Sequence, residues 1–141
     1  MVIVDANVLL YAVNEAEPHH EAARRWTEHA LMGTEGIGFA WIVLLAFVRI
    51  ATRAGLFPRP LKPEIALEFV DGWLGARPAI VVQPTARHAS ILRALIIQVG
   101  TAGNLVSDAH VAALALEHGA RVCTFDRDFG RFPGVQVLIP A

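Results

Sequence analysis

The sequence predicts an α/β fold, a three-layer α/β/α sandwich around a central parallel sheet of four to five strands. Short apolar runs alternate with longer segments in which apolar residues recur at helical spacing. Strands that alternate with helices favour parallel pairing with right-handed connections. The length of 141 residues and the hydrophobic content of 55% predict a single domain, residues 1–141, with a packed core.

The first half of the chain is predicted to contribute two strands and three helices. The apolar run 1–4 ends at Asp5, and the short extended piece 37–39 lies in a glycine-rich segment. Gly55 follows the third helix and stops it. The three helices are predicted over residues 7–13, 20–31 and 41–53.

The second half begins with a proline-rich connector over residues 57–63. Pro63 suits the first turn of the helix that follows it. Ser107 is predicted as the N-cap of the last helix and Gly119 as its C-cap. The remaining elements are helices over 64–74, 86–99 and 107–118, and strands over 79–82, 122–125 and 135–139.

Composition narrows the function classes without choosing one. The net charge of −1 argues against a general nucleic-acid coat, which is normally basic. However, the cations are eleven arginines and one lysine, and arginine suits bidentate contact with phosphate. The longest apolar stretch, residues 37–48, is too short to cross a bilayer. With no signal peptide and a single cysteine, Cys123, we expect a cytoplasmic protein with no membrane contact.

Four of the five aspartates are placed to meet at one end of the sheet. Asp5 and Asp126 follow apolar runs, Asp128 is close behind, and Asp108 falls in the first turn of a helix. Ligands of open parallel sheets bind beyond the carboxyl ends of the strands, which is where these side chains are expected. Asp71 is the exception.

Each aspartate also has a structural explanation as a turn, cap or helix-dipole residue. For the four aspartates as a group the structural explanation is weaker, because two carboxylates about 6 Å apart repel by roughly 2–3 kcal/mol at an effective dielectric of about 20. A pocket of several carboxylates therefore favours a divalent cation. Oxygen ligands select Mg²⁺ or Mn²⁺, and such a site suits phosphodiester hydrolysis by an activated water.

Other polar residues are weaker candidates. Asn7 and Asn104 flank the predicted acids and could hold water or a phosphate oxygen, although turn formation explains both equally well. Arg49 is a candidate contact for RNA, although exposed arginines are usually only solvated. His110 is the histidine nearest the acids, and a structural role is the better expectation for it.

Four segments in order along the chain resemble the PIN-domain family and, within it, the VapC toxins of bacterial toxin–antitoxin pairs. They are residues 2–12 (VIVDANVLLYA), 47–52 (FVRIAT), 104–113 (NLVSDAHVAA) and 124–129 (TFDRDF). The resemblance implies a Mg²⁺-dependent endoribonuclease, with Mn²⁺ as a substitute, that cleaves tRNA, rRNA or mRNA. It also implies a homodimer and a cognate VapB-type antitoxin. Asp5, Asp108 and Asp126 would hold metal, and Asp128 would support them in catalysis.

One position departs from the family pattern. The family commonly places a glutamate directly before the segment matching 47–49, and this chain has Ala46 there. The resemblance then implies one well-held Mg²⁺ and a second only with substrate. The alternative is a catalytically weakened PIN domain that binds RNA or its antitoxin. A response-regulator-like domain would need a lysine near the acids, but the one lysine of this chain lies in the proline-rich connector over residues 57–63. A dehalogenase-type phosphatase would need Asp-x-Asp where the chain has residues 5–7 (DAN).

Overall fold

A central sheet of five parallel strands organises the computed structural model, which describes residues 1–141. The strands hydrogen-bond in the order β3-β2-β1-β4-β5, and all four neighbouring pairs are parallel. This confirms the predicted fold class. The strands are β1 (Val2–Val4), β2 (Ile37–Phe39), β3 (Ala79–Val81), β4 (Arg121–Cys123) and β5 (Val137–Leu138).

Six helices connect these strands. They are α1 (Ala6–Val13), α2 (His20–Met32), α3 (Trp41–Ala51), α4 (Pro63–Leu74), α5 (His88–Val99) and α6 (Leu105–His118). A 3₁₀ helix over Arg127–Arg131 follows β4, and this element was not predicted from the sequence. No helix combines the length and the apolar character needed to cross a membrane.

The start of α6 corrects one prediction. Asn104, not Ser107, is the N-cap, and Ser107 is the third residue of the helix. The chain turns at Gly103, whose φ of 56° lies in the left-handed region that glycine favours. The carbonyl of Asn104 already accepts a helical hydrogen bond from the Asp108 amide (2.9 Å). The N-cap therefore lies three residues earlier than predicted, and Asp108 remains in the first turn of the helix.

Strand β4 is also shorter than predicted. It ends at Cys123 rather than Phe125, because the Phe125 amide donates to the side chain of Asn7 (3.0 Å) instead of to a neighbouring strand. The last strand is likewise reduced to two residues. The chain after Cys123 is thus free to form a loop over the end of β1.

The pairing of β1 with β4 positions the functional site. Val4 lies opposite Cys123 in the parallel register, so the next residues, Asp5 and Thr124, emerge side by side at the carboxyl edge of the sheet. Ile3 and Val4 are fully buried, as expected for a central strand covered on both faces. The residues beside Asp5 are therefore held by the core of the protein.

Gly38 in β2 is predicted to be essential for packing. A Cβ at this position would lie 2.7 Å from Val82 Cγ2 and 3.0 Å from Ile3 Cγ1, and both neighbours are buried. We expect Gly38→Ala to lower the free energy of unfolding by about 1–3 kcal/mol in urea denaturation.

The matched control is Gly72→Ala in α4, where an added Cβ meets nothing within 4 Å. Alanine there should raise the free energy of unfolding by up to about 1 kcal/mol, because it favours the helix. Equal effects of the two substitutions would contradict the packing assigned to Gly38.

Candidate functional site

A pocket of about 610 Å³ opens beyond the carboxyl ends of β1 and β4. Its sides come from the start of α1, the middle of α3, the first turn of α6 and the loop after β4. Six of the seven predicted site residues line it, and Asp128 does not. Those six are Asp5, Asn7, Arg49, Asn104, Asp108 and Asp126.

Asp5 is the most firmly held acid. Its Oδ1 accepts a hydrogen bond from the Ala6 amide (2.8 Å), which makes Asp5 the N-cap of α1. Its Oδ2 accepts from Thr124 Oγ1 (2.8 Å) and Asn7 Nδ2 (3.1 Å). Burial raises the pKa of Asp5, while the hydrogen bonds from Thr124 and Ala6 oppose that rise.

Thr124 was not among the site residues predicted from the sequence. Its hydroxyl donates to Asp5, accepts from Asn7 Nδ2 (3.0 Å) and accepts from the Asp126 amide (2.9 Å). It therefore joins the end of β1 to the loop that carries Asp126. The available signal was its place directly after the strand that pairs with β1.

Asn7 supports Asp5 and Thr124. Its amide nitrogen donates to both side chains, and its Oδ1 accepts from the Phe125 amide (3.0 Å). Both ends of the carboxamide are thereby engaged within the protein. This arrangement favours a positioning role over direct contact with water or phosphate.

Asp108 faces the pocket from α6 and is half-buried. Burial, followed by the negative charges of Asp5, Asp126 and Asp128, raises its pKa to about 7. No comparable donors offset these effects, in contrast to Asp5. Asp108 is therefore the acid whose ionisation depends most on a nearby positive charge.

The remaining two acids differ in position. Asp126 lines the pocket and is the N-cap of the 3₁₀ helix, where its Oδ1 accepts from the Asp128 amide (2.9 Å). Asp128 is exposed and lies outside the lining, although its charge contributes to the raised pKa of Asp108. The structure thus places Asp128 at the periphery.

The opposite side of the pocket is apolar. Ala46, the position where the family commonly has glutamate, lines the pocket on α3 together with Ile42, Leu45 and Ile50. Glu35 does not replace the missing carboxylate, because it lies before β2 and pairs with Arg121 (2.8 Å) at the amino edge of the sheet. Arg49 is the one cationic side chain in the lining.

Asn104 and His110 differ in their relation to the pocket. Asn104 lines the pocket, and its side chain makes no capping hydrogen bond, so its carboxamide is available to a ligand. His110 is outside the lining, and its Nδ1 lies 2.9 Å from Nε2 of His88. His88 in turn bonds the buried Glu117, so His110 belongs to a polar contact between α5 and α6.

The donor set suits a hard cation held with water and substrate. No three histidine, cysteine, aspartate or glutamate side chains lie close enough together to hold one ion. Mg²⁺ is commonly held by one or two carboxylates, with waters and substrate phosphates completing its octahedron. Asp5, Asp108 and Asp126 present oxygen atoms of the required kind around the pocket.

The family model of the PIN domain matches residues 2–135 of the chain. The chain belongs to the PIN-domain family. Among its relatives, Ribonuclease VapC37 of Mycobacterium tuberculosis is 57% identical over 136 residues, which are 96% of this chain and 94% of that protein. The similarity thus places the chain with the VapC proteins of the family.

Solved structures agree on the fold. VapC20 of Mycobacterium tuberculosis, described as a sarcin-ricin loop cleaving toxin, superposes with a TM-score of 0.70 at 18% identity, covering 96% of this chain and 99% of that one. VapBC2 of Rickettsia felis, bound to a promoter DNA fragment, gives a TM-score of 0.68 at 18% identity with full coverage of both chains. At these identities the likeness establishes the shared architecture.

Asp108→Asn is predicted to stabilise the protein in metal-free buffer near pH 8, raising the thermal midpoint by about 2–4 °C. The folded-state pKa of Asp108 is raised, so its contribution to stability is full below the unfolded-state pKa and is lost as pH rises through about 7. The gain should therefore shrink as pH falls below about 7 and vanish only near pH 4, where the carboxyl group is protonated in the unfolded state as well. Thermal scans in EDTA across this range measure it.

Asp71→Asn is the matched control, because Asp71 is exposed on α4 and outside the pocket. It should leave the dependence of the midpoint on pH between about 5 and 8 unchanged. An equal gain for Asp108→Asn near pH 5 and near pH 8 would contradict the crowding of negative charge around Asp108.

Proposed function

We propose that this protein is a VapC-type endoribonuclease, the toxin of a toxin–antitoxin pair, and that it hydrolyses RNA phosphodiesters with Mg²⁺ or, as a substitute, Mn²⁺. The observation that carries the proposal is the gathering of Asp5, Asp108 and Asp126 around one pocket, with the pKa of Asp108 raised by its neighbours. The relatives named as ribonucleases support the same activity.

One or two of the carboxylates of Asp5, Asp108 and Asp126 would hold the cation directly, and waters and substrate oxygens would complete its coordination, because no three of these side chains reach one point. When bound, it supplies polarisation of the phosphodiester, activation of water and neutralisation of charge on the leaving oxygen. The carboxylate of Asp5 offers about four lone-pair positions and uses three of them in hydrogen bonds within the protein. One position remains for a ligand, and its direction is fixed by Thr124 and Asn7.

The other residues act on geometry and charge. Thr124 and Asn7 prevent rotation of Asp5, and the Asp126 amide bonded to Thr124 ties the second acid to the first. Asp108 must lose its proton before it binds a cation, so cation affinity should rise with pH through about 7. Asn104 and Arg49 are proposed to contact substrate oxygens, and their place in the pocket lining supports this role.

Ala46 limits this site to fewer carboxylates than the family pattern provides. Its methyl group, with Ile42 and Leu45, presents an apolar surface where a further acidic ligand would stand. We therefore infer one firmly held ion, with a second that requires the oxygens of bound RNA. Such a site needs a higher concentration of metal for activity than a site with four carboxylates.

A cognate VapB-type antitoxin is the proposed partner, because solved neighbours include complexes of VapB with VapC. The exposed side chains of Trp41 and Leu45 on α3 give an apolar surface beside the pocket for it. A basic antitoxin side chain that entered the pocket would supply the positive charge that Asp108 favours. The toxin is further proposed to act as a homodimer in the cytoplasm.

A second candidate function is an RNA- or antitoxin-binding module with weakened catalysis. Ala46 is the observation that favours it, since the position faces the pocket and carries no ligand. Two features favour the active enzyme: the hydrogen bonds that hold Asp5 and the negative charges around Asp108. Carboxylates so close together repel one another and destabilise the fold unless a cation is bound. The two candidates differ in whether RNA is cut.

Asp108→Asn is expected to reduce RNA cleavage by at least about 100-fold, since it removes a charged oxygen from the pocket. Thr124→Val should reduce cleavage by about tenfold or more, because Asp5 loses a hydrogen bond that orients it. Cleavage of total RNA in Mg²⁺, Mn²⁺ or EDTA, followed by end sequencing, measures both effects.

Asp71→Asn is the control, because it removes a carboxylate that lies outside the pocket. It should cleave like the unchanged protein. Cleavage by Asp108→Asn at the unchanged rate, or undiminished cleavage in EDTA, would overturn the nuclease proposal. If the unchanged protein binds RNA but leaves it intact with every metal, the binding module is favoured instead.

Leu45→Glu is expected to weaken binding of the cognate antitoxin by about tenfold or more, because it places a charge in the proposed contact surface. Ile97→Glu is the matched control on α5, since Ile97 is also strongly exposed and lies outside the pocket. Calorimetry with the antitoxin encoded beside the toxin gene compares them. Equal affinities for both variants would reject the α3 surface as the contact.

A further inference from the structure

Three aromatic rings pack together beside the acidic pocket. The rings of His19 and Phe125 are stacked, with centroids 4.7 Å apart and planes at 22°. Tyr11 completes the group at 5.3 Å from Phe125 and 6.0 Å from His19. These separations lie in the range in which aromatic pairs attract one another. We call Tyr11, His19 and Phe125 the aromatic triad.

The aromatic triad is joined directly to the catalytic candidates. Phe125 lies between Thr124 and Asp126 in the chain, and its amide donates to Asn7 (3.0 Å). Tyr11 follows Asn7 by four residues on α1, so both side chains lie on the same face of that helix. The charges of Asp126 and Asp5 help raise the pKa of Tyr11, after burial and Glu17.

The triad is held in place yet reaches solvent. His19 is exposed, while Tyr11 and Phe125 are half-buried. The His19 carbonyl accepts from the Ala23 amide (3.0 Å), and His20 Nδ1 bonds the Tyr11 carbonyl (2.8 Å). The loop between α1 and α2 is thereby fixed against α1, so the exposed His19 ring is supported from beneath.

Charge alone is a poor source of RNA affinity for this chain. Its net charge is −1, and the pocket where the phosphate must enter is lined by three carboxylates and one arginine. Phosphate contacts normally supply most of the affinity of nucleic-acid binding. Stacking of bases on aromatic side chains is the other general source, and it tolerates any base.

We propose that the aromatic triad is a base-stacking subsite, which binds an unpaired nucleobase next to the phosphodiester in the acidic pocket. The proposal rests on the nuclease function proposed above and specifies its substrate class. The RNA must present an unstacked base beside the cleaved bond, as in a loop or a single strand, because a paired base cannot turn onto a protein ring. His19 is then a specificity-determining residue.

The test measures stacking separately from cleavage. The probe is a short uridine oligoribonucleotide, whose bases stack little on one another, and it carries a single 2-aminopurine that is placed at each position in turn. Ca²⁺ replaces Mg²⁺ to slow turnover, and gel analysis verifies that the probe stays intact. Binding of the unchanged protein should quench the fluorescence of 2-aminopurine at one or two positions, because a stacked base loses emission.

His19→Ala should abolish this position-specific quenching and weaken binding about tenfold, which is the lower part of the range for loss of one stacking ring. His19→Phe keeps a planar ring and should retain affinity within about twofold. In cleavage assays, His19→Ala should raise KM about tenfold with kcat changed by less than about twofold. If His19 had only a structural role, His19→Phe would not restore the quenching, the affinity and the KM together.

His29→Ala is the matched control, because His29 is also exposed and lies in the last turn of α2, away from the triad. It should quench and cleave like the unchanged protein. Phe125→Leu is the second variant. It keeps an apolar side chain at this position but removes the aromatic ring, so quenching should be lost. Thermal midpoints of all variants verify that each is folded.

The two proposals fail in different ways. If the unchanged protein cuts no RNA in Mg²⁺ or Mn²⁺, the nuclease proposal fails, while position-specific quenching would still support the subsite. If the unchanged protein cuts RNA but His19→Ala keeps full quenching and an unaltered KM, the subsite alone is overturned. Equal losses for His19→Ala and His29→Ala would also overturn it.

Discussion

The hydrogen bond from Thr124 to Asp5 joins two parts of the chain that are 119 residues apart, and the arrangement of the pocket depends on it. It forms because β1 and β4 pair in parallel with Val4 opposite Cys123. A shift of register by one residue would turn the side chains of β4 to opposite faces. The buried central strands thus fix the position of Asp5, and through Thr124 they fix the loop that carries Asp126.

Electrostatic crowding is the cost of this arrangement. Asp5 offsets its burial with hydrogen bonds, whereas Asp108 has none of comparable strength and has its pKa raised to about 7. The pocket is therefore least stable when it is empty and ionised, and any bound positive charge stabilises the fold. A metal ion and a basic side chain of the proposed partner would compete for the same negative potential, so the proposed activity and its inhibition would both depend on Asp108.

The pocket is also asymmetric. Its acids come from the strand ends and from α6, while α3 contributes Ala46 and apolar neighbours. The triad lies on the side of α1 and the loop after β4. The apolar side of the pocket suits a protein partner, and the aromatic side suits nucleobases. The proposed RNA substrate and the proposed antitoxin would then share the acids and differ in the surface that each uses around them.

Local sequence patterns were enough to predict the five strands, the six helices and the placement of the acids at strand and helix ends. Apolar periodicity is local, so the alternation of strands and helices and the position of Asp5 directly after β1 could be read from it. The sheet order, the role of Thr124, the exclusion of Asp128 from the lining and the pairing of His110 with His88 were decided by tertiary structure. These depend on strand register and helix packing between residues distant in the chain, which local patterns do not encode.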